Sequence, residues 1–73
     1  MVKKWLQQGF PVQVRRLGDT GGWRVNRRHL RHRSEGARGE VIGPAFGNRG
    51  EVILVEHANG EVGAYHVDEL APA

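Results

Sequence analysis

The sequence predicts a small all-β domain, a barrel of about five antiparallel strands closed by short turns. Two observations predict it. The chain holds β-branched runs of strand length, most clearly Glu51-Val-Ile-Leu-Val-Glu56, separated by glycine-rich turns. Its longest run without a strand signal, Asn26 to Glu35, lacks the i, i+3, i+4 apolar stripe of a packed helix. Its 73 residues suit a single domain, 1–73, with a thin core, because so short a chain hides only roughly 60% of the surface its unfolded form exposes.

Residues 1–10 form an N-terminal arm carrying Trp5 and Leu6, ended by Gly9 and followed by Pro11. Val12-Gln-Val-Arg-Arg-Leu17 alternates at its start, which predicts a first strand. Gly18-Asp-Thr-Gly-Gly22 is loop chemistry, and Trp23-Arg-Val25 resumes a strand. Asn26 to Glu35 is nearly all arginine and histidine, with Leu30 its only aliphatic side chain, so an exposed and mobile loop is expected over 24–38. Glu40-Val-Ile-Gly43 predicts the next strand, and Pro44 with Gly47-Asn-Arg-Gly50 a turn. The run from Glu51 to Glu56 then meets Asn59-Gly60, a dipeptide suited to the type I′ hairpin turn, with Glu61-Val-Gly-Ala-Tyr-His-Val67 as the return strand. Asp68-Glu-Leu70 predicts a closing turn that tucks Leu70 into the core. Trp23, Phe10 and Phe46 are expected as core or rim plugs.

Charge is lopsided. Residues 1–38 hold ten Lys and Arg against Asp19 and Glu35, a net of +8, whereas residues 39–73 hold Arg49 against six carboxylates, a net of −5. An electrostatic surface with a basic and an acidic side follows. The chain has no cysteine, which excludes disulfides, thiolate nucleophiles and cysteine metal cages. No apolar run approaches a membrane span, and the start lacks the apolar stretch of a secretory signal, so a cytoplasmic protein without membrane contact is expected.

The residues from Gly36 to Pro72 resemble the latter half of SH3-like barrels. Gly36, Gly39 and Val41 match the glycine pattern of KOW-type barrels, and the order of Asn59-Gly60, then Tyr65, His66 and Asp68-Glu69-Leu70, is similar to barrels that close on such a corner. The resemblance covers about half the chain and speaks to fold before function. KOW-type relatives imply RNA binding. Relatives similar to the nitrile hydratase β-subunit tail imply a docking subunit. Type II dihydrofolate reductases imply a homo-oligomer with a shared pore, whose Val-Gln-Ile-Tyr motif aligns with Val62-Gly63-Ala64-Tyr65, with glycine in place of its glutamine.

The Arg/His segment carries the chemistry. Arginine offers a rigid fork of donors suited to phosphate, and several together would release counterions from a polyanion. Arg24, Arg27, Arg28, Arg31, Arg33 and Arg38 are the candidate phosphate contacts, with Trp23 and also Trp5 as stacking platforms. A merely solvated face, or an acidic protein partner, would use the same arginines. His29 and His32 would share a metal only on a helix with a third ligand, and the surrounding arginines repel a cation. In a two-residue turn Ala58 pairs with Glu61, which brings His57 and His66 to one hairpin face beside Tyr65. There they read as structural histidines or, more sharply, as a proton-handling site. No nucleophile elbow, phosphate loop or carboxylate pair is present, and Ser34, the only serine, lacks an orienting base. The expectation is a non-catalytic module, without cofactor or metal, that binds nucleic acid through Arg24–Arg38. A docking subunit meeting an acidic protein face is the alternative, and a homo-oligomeric enzyme like the type II reductases a second.

Overall fold

The computed structural model describes residues 6–73. Lys3, Lys4 and Trp5 of the arm lie outside the described residues, and with them the second stacking candidate. Five strands form one antiparallel sheet: β1 (Pro11–Val14), β2 (Arg38–Pro44), β3 (Val52–His57), β4 (Val62–His66) and β5 (Leu70–Pro72). Their order is β4-β3-β2-β1-β5, so the chain's last strand returns to its first, with Val12 opposite Pro72 and Val14 opposite Leu70. This is the expected small all-β, barrel-like architecture.

The sheet curls around one core of Leu6, Val12, Val14, Val41, Ile53, Val55, Tyr65 and Leu70. Curvature enters β2 at a bulge: Val41 pairs with Val55 and Gly43 with Leu54, leaving Ile42 unpaired and partly exposed. A second cluster, Ala45, Val52 and Ala64 with Trp23, Val25 and Leu54 against it, covers the opposite face of the β3–β4 hairpin. The unalternating Val52-Ile-Leu-Val55 run follows from this double coverage, because a strand buried on both faces has no polar side to present.

Several expectations are corrected. β1 ends at Val14, three residues earlier than the alternation suggested, and Trp23–Val25 is not a strand. Instead the Asn48 side chain grips that segment, its Oδ1 accepting the Arg24 N–H at 2.7 Å and its Nδ2 donating to the Arg24 carbonyl at 3.0 Å. The Arg/His segment is not simply a loop: Arg27–Arg31 is a short helix, α1, with Asn26 as its cap. Phe46 is no plug, being 99% exposed, and Phe10 is 37% exposed. Leu70 is buried as expected, behind a 3-10 turn over Val67–Glu69.

The hairpin turns where expected but not as a type I′ turn. Gly60 N–H donates to the His57 carbonyl and Gly60 alone takes a left-handed φ of 86°, while Asn59 Oδ1 accepts the Glu61 N–H. That is a three-residue loop with a glycine bulge. His57 therefore pairs with Glu61, Val52 with His66 and Ile53 with Tyr65. A slip of one residue reverses a face, so His57 and His66 lie on opposite sides of the hairpin rather than together.

Candidate functional site

Helix α1 explains the alternation of arginine and histidine. With 3.6 residues per turn, positions 29, 32 and 33 share one side and positions 27, 28 and 31 the other. The histidines face inward. His29 Nδ1 donates to the Val62 carbonyl at 3.0 Å, on the outer edge of β4, and His32 pairs with the Glu61 carboxylate. With these rings engaged, the pair docks the helix against the β3–β4 hairpin.

Arg33, one of the six candidate phosphate contacts, is corrected by the structure. Its side chain is 8% exposed and its Nη2 donates to Glu69, itself 5% exposed, at 2.6 Å to Oε1. Glu69 also accepts the N–H groups of Gly18 and His66, which ties the long β1–β2 connection to the closing corner. The Arg33 guanidinium lies 4.9 Å from the Trp23 ring centroid and 5.6 Å from that of Tyr65. Trp23 is thereby half-buried, one face covered by Arg33, and braces this plug.

The rest of the basic set is outward. Arg24, Arg27, Arg28, Arg31 and Arg38 are exposed, as are Arg15, Arg16 and Arg49, and among the described residues none of these eight makes an ion pair. Helix docking holds Arg27, Arg28 and Arg31 together on one face, with Arg24 just before it in sequence. Arg38 stands apart at the start of β2, beside a pocket of about 320 Å³ shared with His32, His57 and Glu61. Sequence reasoning missed Arg49 and Phe46. A fully exposed phenylalanine forgoes roughly 1.5–3 kcal/mol of burial, and only the structure could reveal that exposure.

Tyr65 is the hydrogen-bonding hub behind α1. Its hydroxyl accepts the Ser34 N–H at 3.0 Å, donates to the His32 carbonyl at 3.1 Å and meets His57 Nε2 at 2.8 Å. The Arg38 carbonyl can only accept, so His57 Nδ1, 2.9 Å away, donates to it, and the ring spans Arg38 and Tyr65. The ring reaches His57 because it lies across Gly63, where a Cβ would stand 2.7 Å from the His32 carbonyl and 2.9 Å from the hydroxyl. A glutamine, as in the reductase motif, has no room at position 63. Burial raises the Tyr65 phenol above its ordinary value, against the Ser34 hydrogen bond and the Arg33 charge, which lower it. His66, on the other face, accepts the Asp68 N–H at Nδ1 and meets Glu51 at 3.3 Å through Nε2. Both rings therefore serve as structural hydrogen-bond partners. Set against protein-family models, curated proteins and solved structures, the chain matches none.

Proposed function

We propose that this domain is a non-catalytic module that binds nucleic acid through the exposed arginines of the 24–38 segment. One observation carries the reading: Arg27, Arg28 and Arg31 project together from a helix whose other face is pinned to β4, and among the described residues none has an acidic partner. A pinned helix spares the binding event the cost of ordering this stretch of backbone, and each neutralised phosphate releases condensed counterion. The strand order, with a 3-10 turn before the last strand, supports the resemblance to SH3-like barrels, among which the KOW type binds RNA.

The contact set is Arg24, Arg27, Arg28, Arg31 and Arg38, with Arg33 acting as a brace within the fold. Mixed-sequence RNA or DNA should bind at roughly 10⁻⁴–10⁻⁶ M and weaken steeply with salt. Replacing Arg27, Arg28 and Arg31 together by Ala should flatten the salt dependence by about two to three contacts and leave folding nearly unchanged. Labelled strands titrated at two salt concentrations decide it. Absence of binding at low salt, or binding untouched by the triple replacement, would favour a docking subunit whose arginines meet an acidic protein.

A further inference from the structure

Phe46 and Arg49 stand outside the basic segment, yet the fold assembles them with Arg24 on one built turn. Asn48 Nδ2 donates to the carbonyls of Ala45 at 3.1 Å and Phe46 at 3.2 Å as well as to Arg24, so one side chain stakes the turn to the 21–24 segment. The Arg24 stem runs over Gly47, with its Cδ 3.5 Å from where a Cβ would sit. Arg49 holds a left-handed φ of 58°, the only non-glycine residue to do so among those described. Glycine would take that backbone without strain, so the arginine is kept there at a cost. Between the two segments opens a pocket of about 490 Å³, whose walls include Trp23, Arg24, Asn48 and Arg49.

We propose that Phe46 and this pocket form a single-strand subsite, in which an unpaired nucleobase stacks on Phe46 and its flanking phosphates meet Arg24 and Arg49. The inference rests on the nucleic-acid reading above and narrows it to unpaired strands. Phe46 is itself outside the pocket lining but adjoins it in sequence at Gly47, and Asn48 ties its turn to Arg24, while among the described residues neither Arg24 nor Arg49 makes an ion pair. Every base has a π-face and every nucleotide a phosphate, so an exposed aromatic on the same turn as these arginines suits both halves of that ligand. An acidic peptide would occupy the arginines and leave Phe46 without a partner. A duplex keeps its bases stacked within. Trp23, expected as the platform, already has one face occupied by Arg33. Glu51 and its partner His66 also line the pocket, which confines phosphate to the arginine side.

Fluorescence anisotropy with a short poly-thymidine strand, a duplex of equal length and an abasic strand tests the assignment. Phe46→Ala should weaken binding of poly-thymidine by about ten-fold while leaving the duplex, the abasic strand and the salt slope unchanged. Phe46→Trp should retain the affinity and Phe46→Leu should not. Arg49→Gly should lower the single-strand salt slope by about one contact without loss of fold stability. Equal effects of Phe46→Ala on all three strands, or none, would overturn the subsite while the Arg27, Arg28, Arg31 replacement still reports on the general reading. Competition by polyglutamate that matches poly-thymidine, and is indifferent to Phe46, would assign the turn to an acidic protein and overturn it as well.

Discussion

The chain's single tyrosine is wholly buried, and its hydroxyl joins helix, hairpin and β2 through His32, Ser34 and His57. Because burial favours its neutral form, the folded-state value lies above the ordinary 10.0. The stabilisation is therefore fully present below the unfolded value and lost as pH rises through the folded one. Ultraviolet titration of the phenolate should show a midpoint above that of free tyrosine, coincident with alkaline unfolding followed by circular dichroism. Ionisation at the ordinary value with the fold intact would contradict the hub. Gly63→Ala should disrupt the same network, since the added Cβ would press on the His32 carbonyl and the Tyr65 hydroxyl. A cost of about 1–3 kcal/mol, read from chemical denaturation, is the expected size for such overpacking. At this scale the sequence was legible only in part. A glycine within a strand announces a close approach, but not that a tyrosine ring lies over it.

Among the elements, the strands and the site of the hairpin were readable because β-branched runs and Asn59-Gly60 act locally. The turn type was not, because Asn59 caps Glu61 through its side chain and keeps an ordinary φ, leaving Gly60 alone in the left-handed region. That detail moved His57 and His66 to opposite faces. Helix α1 escaped for a different reason: it docks with hydrogen bonds and an ion pair, so the apolar stripe that advertises a helix is missing. The arginines of this segment divide into two kinds. Arg33→Ala leaves Glu69 buried and uncompensated, and should destabilise the fold by about 3–5 kcal/mol. Arg27→Ala, at an exposed position, should stay within about 0.5 kcal/mol. Urea denaturation of the two variants separates them, and similar stabilities would remove Arg33 from the interior.

For the molecule as a whole, the first and last strands are paired. β1 lies between β2 and β5, so the final strand completes the core around Leu70. Long-range pairing of this kind places folding in the millisecond-to-second regime typical of all-β domains rather than the faster one of helical bundles. The charge asymmetry was visible at once in the sequence. Which basic side chains remain free for a partner depended on Arg33, whose ion pair with Glu69 spans the positive and negative halves of the chain.

A consequence follows from where α1 sits. The sheet has two margins, β4 and β5. A bare margin invites strand addition from a second molecule and is the usual seed of fibrous aggregation. His29 occupies the outward Val62 carbonyl on one margin, and the other is a three-residue strand ending in Pro72, which has no N–H to offer. The segment that carries the exposed arginines is thus also the sheet's guard against self-templating, and a change that frees the helix would expose the sheet to its own kind.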